Sequence, residues 1–262
     1  MGVLNVTPDS FSDGGLAEGP AEAIRRGMSL FEEGADIVDV GGESTRPGGT
    51  QLDDDTEIRR VVPVIAALRA RAPGLLSVDT TKAAVAAAAL DAGADIVNDV
   101  SGFAFDPGLA PLVARRGVPV VLMHLRGAFA SMHAAPSYVD VMAEVVSELR
   151  QALRRAEAAG VAASQVILDP GIGFSKTAAH SLEVLRRLSE MAVLDRPVLA
   201  GPSRKSFIGR VLDLPVTERL MGTAAAVAAC VLGGAHVVRV HEVALMLQVV
   251  RMCDAIRGEQ AA

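Results

Sequence analysis

The sequence predicts an α/β fold: a single (β/α)8 TIM barrel over residues 1–262, with eight parallel strands inside and helices outside. Three observations predict it. A short apolar run, a polar or glycine-rich turn and an amphipathic helix recur eight times. The apolar runs are continuous and β-branched, as strands covered on both faces of a parallel sheet must be. Eight near-equal units in 262 residues give a mean spacing of about 33, which fits a closed barrel better than an open doubly wound sheet, the alternative.

In chain order the strand candidates are Gly2–Val6, Asp36–Val40, Leu75–Val78, Asp95–Asn98, Pro119–Met123, Gln165–Leu168, Pro197–Ala200 and His236–Val240. Between them the apolar period switches to 3.6. Ile24, Met28, Phe31 and Ala35 share one helical face, with Arg25, Arg26, Glu32 and Glu33 opposite. Ile58, Val61, Val62, Ile65 and Leu68 repeat the stripe, with Glu57, Arg59 and Arg60 outside, and Leu245, Val249, Met252 and Ile256 form another. Ser137–Gly160 reads as one long helix. Gly34, Gly93 and Gly234 precede Ala-Asp or Ala-His and read as left-handed caps before the next strand. Residues 128–137 and 257–262 are loosely specified.

Half of the residues are hydrophobic but only 3% are aromatic, with no Trp and one Tyr, so the core is aliphatic. A net charge of −6 argues against nucleic acid or an anionic membrane as partner, while leaving a small anionic substrate open. Cys230 and Cys253 fall inside apolar helical patterns and read as buried structural thiols. No stretch reaches the roughly 18 apolar residues of a membrane span, and no signal segment precedes one. The expectation is a reduced, soluble, cytoplasmic protein.

The rim of a barrel at the C-terminal ends of its strands is where chemistry belongs. There stand Asn5, Asp39, Asp79, Asn98-Asp99, Met123-His124, Asp169 and, after the last strand, Arg239 and His241. A solvated strand end would account for one or two such residues, not for a converging set. Asp79, Asn98 and Asp169 can accept from, and in part donate to, the edge of an aminopyrimidinone ring. Lys205 can donate to a ring nitrogen or carbonyl, while Met123 and Phe174 can pack against its faces. The set describes a pocket for a flat, nitrogen-rich heterocycle, a pterin or a purine. Arg46, Arg239 and His241, read as outer-edge groups near Asn5, suit a pyrophosphate with Mg²⁺. Ser206 opens a helix after the seventh strand and can hold a carboxylate there. Thr7–Gly15, a run of turn formers with Phe11 in its middle, reads as a flap. Gly201–Ser206 lacks P-loop spacing, and GxSxG, CxxC and HExxH are all missing from the sequence.

The motifs GVLNVTPDSFSDGG (2–15), DVGGESTRPGG (39–49), SVDTTKAAV (77–85), IVNDVSG (96–102), VLMH (121–124), ILDPGIGFSKT (167–177), SRKSFIG (203–209) and VRVH (238–241) cover nearly the whole chain. Through them the sequence resembles the dihydropteroate synthases, the folate-pathway enzymes targeted by sulfonamides. The resemblance implies condensation of 6-hydroxymethyl-7,8-dihydropterin pyrophosphate with p-aminobenzoate to 7,8-dihydropteroate and pyrophosphate, by an SN1-like step. It implies pterin binding by Asp79, Asn98, Met123, Asp169, Phe174, Gly201 and Lys205. Asn5, Arg239 and His241 take the pyrophosphate, with Asn5 also a Mg²⁺ ligand, and Phe11, Thr45, Arg46, Pro47 and Ser206 take p-aminobenzoate. Of these, Asn5, Arg46, Asp79, Lys205, Arg239 and His241 are the expected catalytic set. A homodimer through the last helices is implied too, and the Ala-rich run Thr223–Val231 is compatible with a close helix contact. No insertion near Phe174 would exclude a sulfonamide, so sensitivity is expected.

Two departures stand out. Members of that family commonly carry a segment upstream of the first strand that caps the barrel floor; either it is dispensable here or the start is trimmed, and the expected consequence is for stability more than for chemistry. Pro202 replaces a small non-proline residue. Two competing readings are a pterin-dependent methyltransferase barrel and a non-catalytic pterin-binding paralogue. The first should lack the flap, STRPG and SRK, and the second should have lost Arg46 or Ser203-Arg204-Lys205; all are present.

Overall fold

The computed structural model describes residues 1–6, 15–43, 51–128, 131 and 137–258. Among the described residues eight strands alternate with helices: β1 (Gly2–Asn5), β2 (Ile37–Gly41), β3 (Leu75–Asp79), β4 (Ile96–Asp99), β5 (Val120–Met123), β6 (Val166–Asp169), β7 (Leu199–Ala200) and β8 (Val237–Val238). The helices are α1 (Gly15–Glu32), α2 (Asp54–Arg69), α3 (Ala83–Asp91), α4 (Leu109–Arg116), α5 (Val141–Ala158), α6 (Ala178–Arg186), α7 (Ser206–Leu212), α8 (Leu220–Leu232) and α9 (Val243–Arg257). All strand pairings are parallel. β1 to β6 form one sheet in chain order, and β7 pairs with β8.

Two parallel bridges join these sheets into a ring, Leu168 to Val198 and Gly2 to Val240. Val3 donates to Val240 O and Val240 to Met1 O, so the seam between the last and first strands is hydrogen bonded on both sides. The eight expected strands all form, each within two residues of its expected start, but β7 and β8 are shorter than expected. Those two shrink to two residues because Pro197 lacks an N–H and the seam is closed by single bridges.

Apolar side chains fill three levels. The large aliphatic core lies between strands and helices; Leu4, Leu30, Ile65, Leu68, Leu76, Leu122 and Leu168 are among its fully buried members. Inside the ring, Met1, Ile96, Val121 and Leu199 pack together. At the upper end Val100, Met123 and Phe174 form a third, small cluster. Gly34, Gly93 and Gly234 all have φ near +100°, the left-handed turn expected between helix and strand. Cys230 and Cys253 are free and buried, and burial raises both thiols above the ordinary cysteine value. Among the described residues no helix is long and apolar enough to cross a membrane.

Three expectations about helices are corrected. The long helix begins at Val141, where Asp140 caps it by accepting from Met142 and Ala143 N–H, both at 3.0 Å. Glu57, expected on the solvent face of α2, is 1% exposed because Lys82 gives it a buried partner. On α9 the stripe Leu245, Met252 and Ile256 faces outward, at 45%, 62% and 63% exposure, with only Val249 of that set turned in part to the core. The face that enters the core is Val243, Met246 and Cys253. The helix is apolar on two sides, and periodicity alone does not say which side faces in.

Candidate active site

Parallel pairing sets one polar row across the barrel mouth. Asn5 pairs with Gly41, Gly41 with Asp79, and Asp79 with Asn98. Two residues back from Gly41, Asp39 projects to the same side, since successive strand side chains alternate. Arg239, just past β8, reaches across this row. Its Nε donates to Asp39 Oδ2 at 2.7 Å and its Nη2 to Asp79 Oδ2 at 2.9 Å. Asn98 Nδ2 donates to the same Asp39 oxygen at 2.9 Å. Arg239 thus sits further in than an outer-edge cation, because two sunken carboxylates draw it there. Gly201 lies beside it: a Cβ there would meet Arg239 Cβ at 3.8 Å, an ordinary van der Waals contact.

The opposite side is built by β6 and the turn after β7. Asp169 Oδ1 accepts the Gly171 N–H at 2.7 Å. Lys205 precedes α7, and its ammonium lies 3.8 Å from the centroid of the Phe174 ring, a cation–π contact. Met123 and Phe174, both nearly buried, present the apolar surface between these groups. Pro202 is buried, and its carbonyl accepts the Lys205 N–H at 3.4 Å, so the proline belongs to the turn that carries the lysine. Ser203 Oγ lies 2.9 Å from His241 Nδ1 and joins the β7 and β8 turns. Arg204 takes a left-handed φ of 58° and pairs with Glu242. Asn5 is half-buried at the end of β1, and Ser206 is exposed as the first residue of α7. Phe11, Thr45, Arg46 and Pro47, and the flap as far as residue 14, lie outside the described residues.

Burial governs the charges here. It pushes the Asp79 carboxyl up to about 7, with Arg239 pulling the other way and Asp39 adding to the rise. Burial also raises Asp169, against the Gly171 hydrogen bond and the charge of Lys205. The Lys205 ammonium falls to about 8 through burial, helped by the Arg239 charge. Burial works against the Arg239 charge, but Asp39 and Asp79 outweigh it and hold its pKa above the ordinary arginine value. The mouth therefore offers one carboxyl, Asp79, and one ammonium, Lys205, that change state near neutral pH, beside a guanidinium that does not. That suits a flat ring rich in N–H and C=O groups, with an anion alongside.

The structure adds residues that the sequence reading left without a role. Asp39 is fully buried, and its Oδ1 has no hydrogen-bond partner among the described residues. Its signal was an acid inside the otherwise apolar run Ile37–Gly41. Lys82 Nζ donates to Glu43 Oε2 and Glu57 Oε2, each at 2.6 Å, and to Leu52 O at 2.8 Å. Glu43 and Leu52 flank residues 44–51, so one ammonium ties both sides of that segment to α2 and to the start of α3.

A barrel whose mouth holds acids, an amide, an ammonium and an apolar plate defines an enzyme class that takes a flat heterocycle. Comparison with known proteins agrees. The family model described as pterin binding enzyme matches residues 1–241. A dihydropteroate synthase of Synechocystis is 45% identical over 98% of this chain and 89% of its own length. The Xanthomonas albilineans dihydropteroate synthase solved with 4-aminobenzoic acid matches with a TM-score of 0.93 at 43% identity, covering 98% of this chain and 92% of that one. The Yersinia pestis dihydropteroate synthase in a sulfonamide drug complex matches at a TM-score of 0.92 and 40% identity, with coverages of 98% and 93%. The chain belongs to the pterin-binding enzyme family. Its place there is among the dihydropteroate synthases, which it matches across nearly its full length.

Proposed function

We propose that the chain condenses 6-hydroxymethyl-7,8-dihydropterin pyrophosphate with p-aminobenzoate, releasing pyrophosphate and 7,8-dihydropteroate. The observation that carries this reading is the Arg239 bridge between Asp39 and Asp79, set opposite Asp169, Lys205 and Phe174. Asp79, Asn98, Asp169 and Lys205 would hold the ring edge, and Met123, Gly201 and Phe174 would line its faces. The bond between the pterin CH₂ and the pyrophosphate oxygen breaks, the amine nitrogen bonds to the CH₂, and an amine proton leaves. No protein nucleophile is required. The side chains orient the ring, exclude water and stabilise the departing charge.

Asn5, Arg239 and His241 would face the pyrophosphate. Among the described residues no three His, Cys, Asp or Glu side chains lie close enough to hold a metal by themselves. Mg²⁺ characteristically binds few protein oxygens together with phosphate, so a single amide oxygen at Asn5 suits a Mg²⁺ carried by the pyrophosphate. When bound it would offset the leaving group's charge. For p-aminobenzoate the reading assigns Phe11, Thr45, Arg46, Pro47 and Ser206, with a sulfonamide competing there. Cytoplasmic folate biosynthesis is the setting.

The reading includes a homodimer through α8 and α9. Its support is the row of exposed apolar side chains Met221, Leu232, Leu245, Met252 and Ile256, more apolar surface than two lone helices normally leave to water.

The test follows pyrophosphate release from the pterin pyrophosphate, with and without p-aminobenzoate and Mg²⁺. Release and dihydropteroate formation that need all three components are expected. A folded protein that yields no product under any of these conditions would sink the reading.

A further inference from the structure

Behind the pterin wall lies a second polar cluster that the reaction does not use directly. Lys176, in the segment leading from β6 to α6, turns its ammonium inward. Nζ lies 2.8 Å from His124 Nδ1, 3.1 Å from Gly171 O and 3.2 Å from Phe174 O. Burial lowers this ammonium to about 7, with the Asp169 and Glu148 charges holding it up, so its full set of three N–H donors is present at and below neutral pH, and three acceptors meet it. His124 is 3% exposed, and its Nε2 lies 3.1 Å from Glu148 Oε2. Burial lowers the imidazole to about 4, with the Lys176 charge adding to the effect, so the ring is neutral near pH 7. One proton order satisfies every partner: Nε2–H donates to Glu148, and the Nδ1 lone pair accepts from Lys176. Arg126 holds Glu148 in turn, with Nε 2.9 Å from Glu148 Oε1.

The two carbonyls are the point of the arrangement. Gly171 and Phe174 bracket the turn that forms one wall of the mouth. Gly171 has a φ of +68°, and a Cβ on it would fall 2.1 Å from His124 O, so the turn is pressed against the end of β5. The Gly171 N–H goes to Asp169, and a Cβ on Gly173 would stand 3.0 Å from Lys205 Cδ. Any shift of this turn moves Phe174, Asp169 and Lys205 together.

We propose that Lys176 is a positioning residue for the first substrate: by gathering His124 Nδ1 and the carbonyls of Gly171 and Phe174, it fixes the turn that sets Phe174 and Asp169 against the pterin. With all three donors engaged it acts through that turn and does not touch the substrate. The inference rests on the reading that the mouth binds a pterin.

Lys176→Met keeps the side chain's length and removes all three donors. Calorimetric titration with 6-hydroxymethylpterin at pH 7.0 is expected to show at least about a tenfold loss of affinity, the scale of stranding buried acceptors. The KM for p-aminobenzoate is expected to stay within about twofold, a split that general loosening of the fold would not give. Should Lys176→Met fail to fold, His124→Leu removes one acceptor and His124→Gln supplies another oxygen. Pterin affinity should then fall in the leucine variant and recover in the glutamine variant. Pterin affinity equal to that of the parent in folded Lys176→Met, or equal in both His124 variants, would overturn the inference. If the parent protein itself failed to bind the pterin, the functional reading would fall instead.

Discussion

Asp79 carries a carboxyl that burial pushes up to about 7, and Lys205 an ammonium lowered to about 8. Asp79 must be ionised to accept from Arg239 and a ring N–H, so activity should fall as pH drops below about 7. Lys205 must be protonated to donate, so activity should fall again as pH rises above about 8. A bell-shaped profile of kcat/KM for the pterin substrate, peaking between these values, is the expected outcome; a flat profile from pH 6 to 9 would contradict it. Stability carries the same sign information. The folded state binds the Asp79 proton more tightly than the unfolded chain, whose carboxyl keeps its ordinary value of 3.8. Between pH 3.8 and about 7 the folded protein therefore holds a proton that the unfolded chain releases, and this group's contribution falls as pH rises. Asp79→Asn removes that dependence. In denaturant melts it should gain stability relative to the parent between pH 4.5 and pH 7.5, while losing turnover. The rim acids were legible in the sequence because each ends an apolar run. Their partners were not: Arg239 lies 200 residues from Asp39 and 160 from Asp79, and only the closed ring brings them together.

At the scale of elements, strand and helix order could be read from the apolar runs and the 3.6 period. Facing could not always be read. Glu57 looked solvated because its neighbours Arg59 and Arg60 are polar, and Lys82, which buries it, comes 25 residues later. The Lys82 cluster leads to a prediction about α2 and α3. Lys82→Met would leave Glu57 buried without its cation, and breaking a buried pair from one side costs about 3–5 kcal/mol. A urea midpoint lowered accordingly is expected; an unchanged midpoint would mean that the cluster contributes nothing net. Glu57→Gln should cost less, since the amide keeps a hydrogen bond to the ammonium. The turn between β6 and α6 was legible as glycine-rich, but its dependence on Lys176 and His124 was not, because those contacts span 52 residues.

At the scale of the whole molecule, eight repeats and an aliphatic composition were enough to specify the barrel. The short seam strands β7 and β8 were overestimated, since hydrophobic runs mark what is buried and not where a ladder ends. The outward stripe on α9 belongs to this scale as well. Leu245, Met252 and Ile256 share an apolar stripe at helical spacing, a pattern that usually marks a core face. Their exposure has a use if a second copy covers them. Light scattering of the parent protein should give the mass of a dimer, and Met252→Asp with Ile256→Asp should give a monomer of unchanged circular dichroism. A monomeric parent protein at micromolar concentration would remove the dimer from the account.

Arg239, bridging Asp39 and Asp79, is the group on which the proposed pyrophosphate-releasing pterin site turns. The most direct measurement compares pyrophosphate release by the parent protein and by Arg239→Ala at saturating pterin pyrophosphate, p-aminobenzoate and Mg²⁺, with circular dichroism confirming that both are folded. A loss of at least about a hundredfold in kcat is expected, the scale of removing one preorganised charge-stabilising group. Turnover of folded Arg239→Ala close to that of the parent would contradict it.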